Sequence, residues 1–446
     1  MPASPLAAAA RPPFTLRGRV LTPLAAGGSR FLADGTVAVD AAGRIVSVEE
    51  ATPGSAGGAI DLRPWLLLPG LVDLHVHLPQ LPNAGLGAGL DLLTWLQRYI
   101  FPLERGFDRA AAEHLAPAAF RAFARAGTTT TVIYGAVYEA SLDAVFRAAE
   151  AQGSRAVVGK VMMDRLRYDD VLPDSAVLET SLREAADLCA RWHGRDGGRL
   201  RYAFTPRFAV SCSPEMLRES ARLAADAGAY WQTHLSEDRG EIAEVARLFP
   251  EARDYTDIYD RAGGLGPRTL LAHAIHLSDR EIARLAETGT KIAHCPESNL
   301  FLSSGVMPLA RYLEAGLVVG LGSDVSAGPD LSIFRQMRAG AHSQAALATM
   351  AGERRASLDP LSWLRLATLG GARALGLESL IGSLEAGKEA DIIAVDPAFT
   401  APIPGLEVEL PEELMSRLMY REHPEMVRAA WVRGRQLDGP ARDARP

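Results

Sequence analysis

In Asp73-Leu74-His75-Val76-His77, two histidines one residue apart close a short apolar run. Residues i and i+2 of an extended strand share a face, so both imidazoles can point the same way. Similar runs along the chain end in other groups able to hold a cation or move a proton. These are His234-Leu235-Ser236-Glu237, His273, His294 and Ser323-Asp324, with Thr205-Pro206-Arg207-Phe208 closing one more. A single HxH pair does not specify a metal site, and an aspartate after a strand commonly caps the next helix. Taken together, though, five of the ten histidines fall at such ends. Imidazole plus carboxylate is a donor set for Zn²⁺, and Fe²⁺ or Mn²⁺ accept the same atoms. The chemistry implied is metal-assisted hydrolysis.

The elements that must position these groups are legible in the same runs. LLLPGLVDLHVHL, TTTTVIYGAV, RAVVGKVMMD, RYAFTPRF, YWQTHLSE, TLLAHAIHL, KIAHCPESN and LVVGLGSD make eight buried-strand candidates. Between them lie amphipathic stretches, among them one ending in AAFRAFARAG, then LREAADLCARWH, EMLRESARLAADAG and DREIARLAETG. Several stop at a glycine (Gly127, Gly228, Gly289), as helix C-termini often do. This β/α rhythm predicts an α/β chain. A doubly wound sheet is the competing arrangement. The polar residues at strand after strand's C-terminal end favour a (β/α)8, TIM-like barrel, whose active sites sit at that end. The first sixty residues and the last seventy differ, with short alternating runs between Gly-rich turns. They predict a small β-sandwich domain built from both chain termini. The expected division is 1–66 and 377–446 for that domain, with the barrel at 67–376.

Composition limits the partners. The chain has 446 residues, a net charge of -7 and dispersed Lys and Arg, which argues against a nucleic-acid partner. No apolar stretch approaches the roughly 18–20 residues of a membrane span. The Ala/Pro-rich start lacks the basic and apolar regions of a signal peptide, so a cytoplasmic enzyme is the expectation. Three scattered cysteines imply neither a disulfide framework nor a Cys-rich metal site, and Cys212 and Cys295 read as buried structural thiols.

PGLVDLHVH, THLSE, AHAIHLS, HCPESNLFLSSG and LGSD resemble the successive signatures of the amidohydrolase superfamily. Gln80, WLQRYIFPLE (Trp95 to Glu104), PRFAVSC (Pro206 to Cys212) and HCPESNLFLSSG are similar more narrowly to the guanine deaminase family within it. The match is dense over about residues 65–335. Two places depart from that pattern: Glu297 follows HCP, and VSAGPDLSIF follows Asp324 in place of a more Gly-rich turn.

The resemblance implies His75, His77, His234 and Asp324 as ligands of one Zn²⁺, with Fe²⁺ or Mn²⁺ as alternatives. It implies an activated water attacking a purine carbon with loss of ammonia, and a homodimer. Asp324 would take a proton from the attacking water and His273 would hydrogen-bond it. Glu237, at the mouth of the His234 strand, would carry a proton to a ring nitrogen and then to the leaving amine; the other reading of Glu237 is an acid at a helix N-terminus. Arg207 suits a 6-oxo purine, because its guanidinium donates to a carbonyl and conflicts with the amino group of adenine. Gln80 both donates and accepts, and Trp95 and Phe208 either wall a flat base or pack the core. Related heterocycles (8-oxoguanine, a pterin, a triazine) are alternative substrates. A non-catalytic assembly protein is the reading from another class, and the retained ligand set speaks against it.

Overall fold

The computed structural model describes residues 6, 9–169, 172–352, 358–406 and 408–439. The N-terminal segment forms β1 (Phe14–Pro23), β2 (Ser29–Val39), β3 (Ile45–Glu50) and β4 (Ile60–Pro69). The barrel strands are β5 (Leu71–His77), β6 (Thr128–Tyr134), β7 (Arg155–Gly159) with the short β8 (Val161–Met162), β9 (Leu200–Pro206), β10 (Tyr230–Leu235), β11 (Thr269–His273), β12 (Lys291–His294) and β13 (Val318–Leu321). The chain returns to the first sheet with β14 (Ile392–Val395), β15 (Val427–Val432) and β16 (Arg435–Gln436).

The barrel strands follow one another in chain order, each parallel to the next. Each of the eight apolar runs read from the sequence overlaps one of them, and RAVVGKVMMD holds both β7 and β8. The ring is drawn together beyond β13. There the Asp324 N–H donates to the His75 carbonyl at 2.7 Å, and the His77 N–H donates to the Val325 carbonyl at 3.0 Å. These two bonds also bring a carboxylate to the histidine pair.

The outer helices form for local reasons. In Pro214–Ala227, proline occupies the first turn and Ser213 accepts the Met216 N–H. Leu217, Ser220, Ala221 and Ala224 make its buried face at helical spacing. Gly228 ends it in the left-handed region at φ 61°. In Asp279–Thr288, Ser278 and Glu281 form a reciprocal capping box.

Both termini contribute to the second body, a seven-stranded sheet in the order β16-β15-β14-β4-β1-β2-β3. It is one hydrogen-bonded sheet that curls over its own apolar core. Phe14 of β1 meets Trp431 of β15 at 6.2 Å between rings, and a bridge pairs Arg44 with Glu389. The sandwich-like core is therefore enclosed by a single sheet. β4 pairs with β14 as far as Pro69 opposite Ile392. At Gly70 the backbone changes partner: the Gly70 N–H goes to Asp391, and the Leu71 N–H goes to Gly127.

Arg155 ties the bodies together. It starts β7, is 1% exposed, and donates to Asp391 at 3.0 Å and to Glu389 at 2.5 Å on the terminal sheet. Arg433 shares Glu389 at 2.8 Å. Removing one partner of a buried ion pair strands the other charge. Arg155→Ala is expected to lower unfolding free energy by about 3–5 kcal/mol, read as a shifted urea midpoint. An unchanged midpoint would remove this pair from the account of stability.

Candidate active site

The ends of β5 and β10 and the turn after β13 bring the predicted ligands together, with His273 at the end of β11 beside them. His75 Nε2 and His77 Nε2 are 3.2 Å apart, and His77 Nε2 and His234 Nε2 are also 3.2 Å apart. Asp324 Oδ1 lies 3.2 Å from His75 Nε2 and 3.4 Å from His77 Nε2. Backbone conformation aims these groups: Ser236, His273 and Asp324 all turn into the left-handed region, with φ of 48°, 67° and 49°. That region is costly for residues other than glycine, and such strain gathers at functional sites. Gly322 is required by close approach, since a Cβ there would sit 2.8 Å from His75 Cβ and 3.0 Å from Cys295 Sγ.

The arrangement fits a cation. Burial first, then the neighbouring His75, pushes His77 and His234 well below the ordinary imidazole range. Neutral His77 and His234 then face each other Nε2 to Nε2, with lone pairs that cannot both be satisfied by each other. Donors held about 2.0–2.1 Å from one Zn²⁺ in a tetrahedral set lie about 3.3 Å apart, close to the separations here. His234 is fixed from behind, its Nδ1 being 2.6 Å from the Arg207 carbonyl, the kind of support that orients ligating imidazoles. His77 Nδ1 has no partner among the described residues. Burial pushes Asp324 up, but hydrogen bonding and charge from His75 outweigh it and hold the carboxyl at about 2. Two groups of metal-competent side chains meet here, His75 with His77 and His234, and His75 with His273 and Asp324.

Beside this cluster lies a cavity. His77, His234, Asp324, Glu237, His273, Gln80, Trp95, Arg207 and Phe208 all line it, while His75 lies beneath at 1% exposure. Glu237 Oε2 is 3.4 Å from His273 Nε2, and Glu237 Oε1 has no hydrogen-bond partner among the described residues. Burial first, then the Asp324 charge, pushes Glu237 well above the usual carboxylate range. Its backbone N–H is held by Glu241 at 2.9 Å. The Trp95 indole donates to the Leu86 carbonyl at 3.1 Å, which leaves the ring as an apolar wall.

Several groups at the site were not singled out from the sequence. Asp73 accepts from the Ser323 hydroxyl at 2.5 Å and the Ser323 N–H at 2.9 Å, anchoring the residue before Asp324. Ser298 donates to Asp324 Oδ2 at 2.6 Å, and Asn299 Oδ1 lies 2.9 Å from His273 Nδ1. Both stand inside HCPESNLFLSSG. Glu104, 0% exposed, accepts from Gln80 at 2.6 Å and from Arg207 at 2.5 Å. Glu297, one of the departures, turns to Gln336 at 3.0 Å and does not line the cavity. His294 is fully buried and outside the lining, and neither ring nitrogen has a partner among the described residues. All three cysteines are buried and free. No helix among the described residues is long and apolar enough to cross a membrane.

Comparison with known proteins agrees with this geometry. Residues 66–437 match the amidohydrolase family. The chain is 38% identical to a guanine deaminase of Escherichia coli (strain K12), over 80% of this chain and 79% of that one. It is similar to the crystal structure of a guanine deaminase from C. acetobutylicum with guanine bound in the active site, at a TM-score of 0.87 and 29% identity, covering 95% of this chain and 99% of that one. An adenosine deaminase from Xanthomonas campestris with bound zinc is similar at 0.79 and 28% identity, covering 97% and 96%. With its barrel, its converging histidines and carboxylate, and these relatives, the chain belongs to the amidohydrolase family, among the hydrolytic deaminases that include the guanine deaminases.

Proposed function

We propose that this protein hydrolyses guanine to xanthine and ammonia. The observation that carries the reading is one cavity lined by His77, His234 and Asp324 of the metal-competent cluster and by both an arginine and an amide. Identity of 38% to a guanine deaminase supports the same reading. His75, His77, His234 and Asp324 would hold one divalent metal, zinc first and Fe²⁺ or Mn²⁺ as alternatives. Such an ion acts as a Lewis acid and lowers the pKa of bound water to about 7.

The protein's own groups then divide the work. Asp324 Oδ2, fixed by the Ser298 hydroxyl, receives a proton from the attacking water. With Asn299 Oδ1 accepting from His273 Nδ1–H, His273 Nε2 presents a lone pair and accepts the remaining O–H of that water. Glu237 protonates the ring nitrogen next to the amino-bearing carbon, which makes that carbon electrophilic. Left ionised, Glu237 then takes the O–H proton remaining on the newly added oxygen and hands it to the amine, which leaves as ammonia as the carbonyl of xanthine forms, and the proton held by Asp324 returns to Glu237. Phe208 and Trp95 flank the base and exclude water. Arg207 donates to the 6-oxo oxygen and Gln80 meets an edge carrying an N–H. The family resemblance also supports a cytoplasmic homodimer acting in purine catabolism.

Arg207→Gln tests the substrate assignment. A hydrogen bond to a charged group contributes about 1.5–3 kcal/mol, so kcat/KM for guanine is expected to fall by about 10- to 100-fold. Xanthine formation followed by mass spectrometry gives the rate. An unchanged kcat/KM would place recognition of the oxo group elsewhere.

A further inference from the structure

Among the described residues, Glu104 is the one carboxylate hydrogen-bonded to both candidate base-recognition side chains, and nothing in the reaction above uses it. It lies on the helix Phe101–Arg105, fully buried. Its two oxygens are divided: Oε1 takes the Gln80 amide at 2.6 Å, and Oε2 takes Arg207 Nη1 at 2.5 Å. Phe101 of the same helix lies under the guanidinium, 5.4 Å from carbon to ring centroid. Gln80 and Arg207 line the cavity, and Glu104 does not.

Two consequences follow from chemistry alone. An ionised carboxylate only accepts, so the Gln80 NH₂ group must face it and the amide cannot flip. Gln80 Oε1 is thereby turned away from Glu104, with the Ser326 hydroxyl 3.4 Å away, and becomes the acceptor available to a ligand N–H. The second consequence is electrical. Arg207 spends one of its five N–H donors on Glu104, so the pair carries no net charge while the remaining donors stay available. A free guanidinium would select an anion, whereas this pair selects a neutral carbonyl.

We propose that Glu104 is a positioning residue that sets ligand specificity, by locking the Gln80 amide as an acceptor and cancelling the Arg207 charge so that the cavity takes a neutral oxo-base and rejects an anionic one. This rests on the assignment of Gln80 and Arg207 to substrate recognition.

The test uses the intact metal-loaded protein and two competitive ligands, neutral hypoxanthine and anionic purine-6-carboxylate. The native protein should bind hypoxanthine at least about tenfold more tightly, the scale of one charge-assisted hydrogen bond. Preference for the carboxylate would overturn the charge argument without any variant. In Glu104→Gln, KM for guanine should rise about tenfold or more with kcat changed by less than about threefold, metal content should stay native, and the ligand preference should shift toward the anion. The rise in KM should shrink in a Gln80→Ala background, as expected for groups that act as a unit. An unchanged KM, an equal fold-change in both backgrounds, or an unshifted preference would overturn the inference. If Glu104→Gln fails to fold, the native-protein comparison still decides. Native protein that releases no ammonia from guanine would instead sink the underlying function.

Discussion

Glu237→Gln is expected to lower kcat on guanine by about 10³-fold or more while metal content stays native. General acid–base catalysis supplies roughly 10²–10⁴-fold, and here one carboxyl performs both proton deliveries. Glutamine preserves volume and polarity but cannot carry the proton. Glu237 Oε2 sits 3.4 Å from His273 Nε2 at the cavity wall. The competing role, an acid at a helix N-terminus, belongs to its neighbour, because Asp238 caps Arg239–Leu248. Loss of Glu237 as a mere cap would change stability and leave turnover near native. Single-turnover rates with metal analysis separate the two outcomes, and a near-native rate in a metal-loaded variant would remove Glu237 from the mechanism.

Asp324→Ala is expected to abolish activity and metal binding together. Asp324 Oδ1 completes the donor cluster and Oδ2 would take the water's proton, so one substitution removes a ligand and a base. The expected loss in kcat is about 10⁴-fold or more, the scale seen when a member of a catalytic unit is deleted. The purified native protein should carry about one divalent ion per chain, and the variant far less. Asp324→Asn, which keeps the shape and the Ser298 contact, should retain some metal and still fail in turnover. Full metal content with native activity in Asp324→Ala would disprove the ligand set.

Much of this site was readable before any coordinates. Strands buried on both faces appear as continuous apolar runs, and polar residues closing such runs stand out against them. That is why β5, β10, β11 and β13 could be matched to His75, His77, His234, His273 and Asp324. Trp95 and Phe208 were ambiguous between wall and core for a physical reason. Burial is the same in both cases, and only the position of the cavity separates them. Glu104 closes WLQRYIFPLE, where its sequence neighbours give it no role. A glutamate in a helical stretch reads as solvated, and its burial depends on Arg207, 103 residues away. Ser298 and Asn299 are similar, since their meaning lies in Asp324, beyond β13, and His273, at the end of β11. The handover from β4 to β5 was also hidden. LLLPGLVDL is apolar throughout, and the change of sheet at Gly70 is decided by which strand pairs alongside.

The central claim is the joining of this metal-competent cluster to a pocket for a neutral 6-oxo purine. It is tested most directly by measuring ammonia release from the metal-loaded protein with guanine, 8-oxoguanine, a pterin, a triazine, cytosine and adenine side by side. The account predicts the highest kcat/KM for guanine, with xanthine as product, and adenine at least about 10²-fold lower, the scale of a hydrogen-bonding mismatch at a polar site. Release from adenine or a triazine at a rate matching or exceeding guanine would contradict it.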